Sequence, residues 1–123
     1  MSDLREAIGE GNRLSQELSK AWSVYLGQVK TAAEAERDYR KHLSLKFVEA
    51  RAKDEFKQAA DREAWVNAQS ADERMARDIA EGLLEATKEQ IRNLRQQLSY
   101  VQTVSNLLKS EQESYRAGQD ANP

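Results

Sequence analysis

The chain has 123 residues, 33% of them charged and 39% hydrophobic, with one Pro, one His and no Cys. That length is room for one domain, the lack of Cys excludes disulfides, thiolate metal sites and cysteine nucleophiles, and the single His excludes any site that needs two imidazoles. A net charge of −2 gives no global attraction to nucleic acid or anionic lipid, so any polyanion site must be a local patch.

The opening Met1-Ser2-Asp3-Leu4-Arg5-Glu6 lacks the basic and apolar regions of a secretory signal. No stretch of about 18 apolar residues follows, so a cytoplasmic protein with no membrane partner is expected. Strides of three and four from Leu4 then meet Ile8, Gly11, Ser15, Leu18, Trp22, Tyr25, Val29, Ala32, Glu36, Tyr39, Leu43, Lys46 and Ala50. Most of these are apolar or aromatic, which is the 3.5-residue seam of a coiled coil. Ser2 or Asp3 can cap the start. Gly9 and Gly11 each cost about 1 kcal/mol relative to Ala, so residues 1–11 are expected to fray and firm helix to begin near Asn12.

The seam loses phase near Arg51, and a turn is expected near 52–55 with Asp54 as the next N-cap. Phe56, Ala60, Trp65 and Ala68 restart the apolar spacing. Ser70-Ala71-Asp72-Glu73 reads as a capping box, so the second helix either runs through or restarts there. The stripe continues through Met75, Ile79, Leu83, Ala86, Ile91, Leu94, Leu98, Val101, Leu108 and Tyr115. Gly118 is a natural stop, and residues 118–123 are expected to form a flexible tail.

These elements predict an all-α fold, a long antiparallel helical hairpin of coiled-coil type spanning 12–117. A three-helix chain broken near 54 and 70 is the alternative. Leu14, Leu26, Phe47, Val66, Leu84, Val104 and Leu107 lie off the seams and widen the apolar faces, which predicts a homo-oligomer.

Charge placement supplies the candidate site. From Arg37 to Lys53 six basic residues (Arg37, Arg40, Lys41, Lys46, Arg51 and Lys53) face only Asp38 and Glu49, a local balance of +4. Lys57 follows past the turn. Tyr39, His42, Phe47 and Phe56 interleave as possible stacking residues. Cations that track phosphates beside rings that stack on bases are the minimal kit for single-stranded nucleic acid. The acidic run Asp72, Glu73, Asp78, Glu81, Glu85 and Glu89 comes without HExxH or Glu-x-x-His, so no metal and no cofactor are expected. No nucleophile elbow or phosphate loop occurs, so no enzyme is expected.

The order of features resembles the UvsY-type recombination mediators of T-even phages over most of the chain. The resemblance rests on Trp22-Ser23-Val24-Tyr25-Leu26, on the basic triplet Arg51-Ala52-Lys53, and on Ser70-Ala71-Asp72. The family shows a Lys-Ala-Arg triplet, inverted here, and its Tyr-Tyr and Gly-rich turn has no counterpart. The resemblance implies a phage-encoded, oligomeric, non-enzymatic factor acting in the bacterial cytoplasm. It would bind single-stranded DNA, partly through Arg51 and Lys53, and help a RecA-like recombinase displace single-strand-binding protein. The alternative function is a phage structural, scaffolding or host-protein-binding helical protein.

Overall fold

The structure, a computed structural model, describes residues 3–121, without the side chains of residues 120 and 121. Among the described residues there are three α-helices and no strand: α1 (Leu4–Ala52), α2 (Ala59–Gln69) and α3 (Ala71–Ala121). None is long and apolar enough to cross a membrane.

Helix α1 starts at Leu4, not near Asn12. The expected fraying of residues 1–11 therefore does not hold for the described part of that segment. The cap is Asp3, whose Oδ1 accepts from the Glu6 backbone N–H at 2.8 Å. Ala7 is fully buried one turn later. Gly11 faces Val101 across the unit without a close approach that requires glycine. A Cβ added at Gly11 would lie 3.6 Å from Val101 Cγ1.

The first break falls at 53–58, slightly longer than the expected turn. Gln58, not Asp54, occupies the N-cap of α2, with extended backbone and no side-chain cap bond. Arg62 folds back instead and donates to the Phe56 carbonyl at 3.2 Å. The second break is the single residue Ser70, so the chain takes the three-helix alternative. Ser70 closes α2 by donating its N–H to the Val66 and Asn67 carbonyls, and its own carbonyl accepts from Arg74 N–H. Helix α3 then runs past Gly118 to Ala121. No glycine has positive φ, and without the left-handed turn a Gly does not end a helix. The expected tail from 118 is thus helical through 121, and 122–123 lie outside the described residues.

The chain divides into two compact units, one of Met1–Ser23 with Lys88–Pro123, the other Val24–Thr87. In the first, α1 and α3 run antiparallel: Gly11 meets Val101, and the Arg95 guanidinium lies 5.2 Å from the Trp22 ring centroid. Its core holds Ala7, Leu14, Ala21, Ile91, Leu94 and Val101. In the second, α1 again runs antiparallel to α3, with α2 between them in sequence. Its core holds Ala32, Ala50, Val66, Ser70, Ala80 and Thr87.

The seam of α1 keeps half of the expected positions throughout and moves the other half back by one as far as Val29, whereas Glu36, Leu43 and Ala50 stay half-buried or buried where expected. Leu4, Gly11, Leu18, Tyr25, Ala32, Tyr39 and Lys46 are buried or half-buried, and so are Ala7, Leu14, Ala21, Gln28, Ala35 and His42. Ile8, Trp22 and Val29 are exposed. The reason is size. At Ala7, Ala21 and Ala35 a small side chain lets the two backbones approach closely, and a Trp there would force them apart. Trp22, expected on the seam, therefore sits on the flank, and Leu26, expected off it, is exposed. Helix α3 behaves alike over its first four turns. Arg77, Ala80, Leu84 and Thr87 turn inward, and Met75, Ile79 and Leu83 turn outward.

Candidate nucleic-acid interface

The basic window begins on α1. Residues seven apart on a helix share a face, so Arg37, Ser44 and Arg51 form one row. Arg40, Lys41 and Val48 lie beside that row. All six are exposed and point away from the seam. Lys30, one heptad before Arg37, extends the row and is also exposed. A count that began at Arg37 misses Lys30; the seven-residue spacing of Lys30, Arg37 and Arg51 was the signal that could have found it.

These cations differ in how far they are already engaged. Arg40 Nε donates to Glu36 Oε1 at 2.6 Å, and Arg37 pairs with Asp38 at 3.3 Å. Both pairs are exposed, where an ion pair is worth about 0–1 kcal/mol and yields readily to another anion. Lys41, Arg51 and Lys57 are exposed with no hydrogen-bond or ion-pair partner among the described residues. Lys46 and Lys53 are half-buried, and both turn to Trp65. Lys53 Nζ stands 4.2 Å from the ring centroid and Lys46 Nζ 6.0 Å, with Glu49 also holding Lys46. Two of the seven expected basic residues thus belong to a cation–aromatic cluster beside the first break.

The four rings expected to stack are engaged or partly covered. Phe56 packs on Trp65 with centroids 5.6 Å apart. Tyr39 lies under Arg77, whose Cζ is 4.4 Å from the ring centroid. Phe47 is half-buried. Glu36 joins this region together, pairing with Arg40 and, at 3.7 Å, with Arg77. The hydrogen bond that Arg77 donates to Asp78 raises the pKa of Arg77, burial opposes this, and the charges of Asp78, Glu36 and Glu81 add to the rise.

His42 does something the sequence did not reveal. Its Nδ1 meets Ser70 Oγ at 3.0 Å and its Nε2 meets Glu73 Oε1 at 3.4 Å. The expected capping box, Ser70 to Glu73, thus sends both its side chains to a histidine on α1. The order Ser, His, acid has the composition of a hydrolytic triad, but Ser70 is 0% exposed. A nucleophile must reach its substrate, and this hydroxyl is sealed in the core. The three side chains act as a tie between α1 and the α2–α3 junction. The second oxygen of Glu73 is buried without a hydrogen-bond partner.

No protein-family model matches the chain, and no curated protein or solved structure matches it either. The reading of the site therefore rests on its own geometry. The arrangement offers exposed cations at helical spacing for phosphates and few free ring faces for bases. Across the second unit acidic side chains outnumber basic ones, so the cationic row on the outer face of α1 is a local feature and not the charge of the unit as a whole.

Proposed function

We propose that the protein is a non-enzymatic, self-associating helical factor that holds single-stranded DNA along the outer face of α1. In this reading the helices form a hairpin, several copies assemble, and each presents its row of cations to one strand. The observation that carries it is the set Arg37, Lys41 and Arg51, exposed on or beside one face of α1, with exposed Lys57 in the break that follows, three of the four without an acidic partner. With the rings engaged elsewhere, contact is to phosphates and is independent of sequence. Binding by one copy is weak and gains by avidity along the strand. Together with the resemblance to UvsY-type mediators, this supports an accessory role in recombination, presenting the strand to a RecA-like recombinase in competition with single-strand-binding protein.

The test is fluorescence anisotropy of labelled oligo-dT over a salt series. Neutralising about four phosphates predicts a slope of log K on log salt of about −3 per protomer. Lys41→Glu with Arg51→Glu should abolish binding without changing helical content. Absence of binding at low salt refutes the reading. A second reading, a protein-binding scaffold or assembly factor, is favoured by one observation. Met75, Ile79 and Leu83 form an exposed apolar row on α3 that a purely DNA-binding helix does not need. It predicts indifference to oligo-dT.

A further inference from the structure

The apolar row of α3 has a symmetry that names its occupant. Over the first four turns of α3, the seam positions Arg77, Ala80, Leu84 and Thr87 point inward. Met75, Ile79 and Leu83 stand on the opposite side, 65%, 56% and 54% exposed. Small residues fill the space between them. Ala76, Gly82 and Ala86 are exposed, and a Cβ added at Gly82 would meet nothing within 4 Å. The stripe is therefore low, apolar and ridged at four-residue intervals, the form of a helix-packing surface.

The pattern reads the same in both directions from Ile79. Four residues away on either side are the large Met75 and Leu83. Three residues away on either side are the small Ala76 and Gly82. In an antiparallel pair of identical helices related by a two-fold axis at Ile79, each residue faces its mirror position. Large then meets large, small meets small, and Ile79 meets Ile79. An isologous interface requires this self-complementarity, and an unrelated partner does not.

The flank agrees in charge. Arg74, Asp78 and Glu85 lie along one edge of the stripe. In an antiparallel pair the same edge of each helix meets its counterpart. Arg74, five residues before the axis, and Glu85, six residues after it, fall within one residue of mirror positions, within reach of a long Arg side chain, and the pairing occurs twice. Asp78, nearest the axis, is neutralised on its own chain by Arg77 at 3.0 Å.

On the reading that the protein self-associates, we propose that this stripe of α3 is the contact with a second copy, packed antiparallel across a two-fold axis at Ile79. The inference rests on that reading and not on nucleic-acid binding. Its burial stabilises the dimer through apolar area at the centre, and the two Arg74–Glu85 pairs at the rim fix register and direction.

The experiment is mass by light scattering on the full chain over a dilution series, with far-UV circular dichroism on every variant. The wild type is expected to reach twice the monomer mass when concentrated. Ile79→Glu places a charge on the axis, and Gly82→Leu fills the low position while leaving the isolated helix at least as stable. Both are expected to give monomer with unchanged helical content. Glu85→Arg sets Arg against Arg74 and is expected to weaken the dimer, and adding Arg74→Glu is expected to restore it. A wild type that is monomeric at every concentration overturns self-association and the proposal with it. A dimer indifferent to Ile79→Glu and Gly82→Leu overturns this interface alone. Oligo-dT binding, measured separately, bears on neither result.

Discussion

Replacing His42 with Ala tests the tie between α1 and the α2–α3 junction. The Ser70 hydroxyl is fully enclosed, and His42 Nδ1 is the partner that reaches it from across the unit. Leaving a buried hydroxyl without its partner costs about 1–3 kcal/mol. The Nε2 contact to Glu73 adds little, because the two side chains are 24% and 35% exposed and solvent screens them. The expected loss is about 2 kcal/mol, which for a chain of this size lowers Tm by roughly 6–10 °C. Ser70→Ala should cost less, about 1 kcal/mol, because the part-exposed imidazole can turn to water. Urea unfolding followed by circular dichroism, at one fixed protein concentration, gives each value and the double variant. The cycle should return a coupling of about 1 kcal/mol. A His42→Ala loss no larger than the ~0.5 kcal/mol of an ordinary surface change, or no coupling to Ser70, refutes the tie.

Three further outcomes follow from the same structure. A Cβ at Gly27 meets nothing within 4 Å, so Gly27→Ala should stabilise α1 by about 0.5–1 kcal/mol, seen as a higher urea midpoint. Ala21 is buried and Leu26 exposed, so Ala21→Leu should cost about 1–3 kcal/mol by overpacking, while Leu26→Ala should stay near zero; a costless Ala21→Leu would restore the register read from the sequence, in which Ala21 lies off the seam. The Arg13 hydrogen bond lowers the Glu10 pKa, so Glu10 should titrate below the usual glutamate range by NMR, and Arg13→Gln should return it there. A lowered carboxylate favours the fold above the unfolded pKa, and that contribution fades as pH falls through the folded value.

The existence and length of the helices were legible because the apolar period is long and a single Pro near the C-terminus never interrupts it. The phase of the seam was not. Apolar residues occupy two adjacent positions in many heptads, as at Ala7 and Ile8, Ala21 and Trp22, or Leu83 and Leu84. Ranking by hydrophobicity chose the larger member, and close approach of the helices chose the smaller one at Ala7 and Ala21. At Leu83 and Leu84 the two are equal in size, and only the neighbouring Ala80 and Thr87 decide. The outward cations at Arg37, Lys41 and Arg51 could be read from spacing alone, since polar positions of a seamed helix face water. The engagement of Lys53 with Trp65, and of His42 with Ser70, depends on where α2 starts. The sequence signals this poorly, because Gln58 caps α2 without a side-chain bond.

The antiparallel pairing also orders the contacts by the length of chain they close. His42 and Ser70 meet across 28 residues. Gly11 and Val101 meet across about 90. Loop-closure entropy rises with that length, by about 0.6 kcal/mol per doubling, so the short closures are the easier ones to make first. The arms 4–23 and 88–121 meet each other only across long sequence separations, as Gly11 meets Val101. Their encounter is expected to follow the closure of Val24–Thr87, which shortens the effective loop between them. Pulsed hydrogen exchange during refolding should then protect amides around Ser70 and Ala80 before those around Leu14 and Val101. The unit that ties first would be the one that carries both the row of cations and the stripe at Ile79.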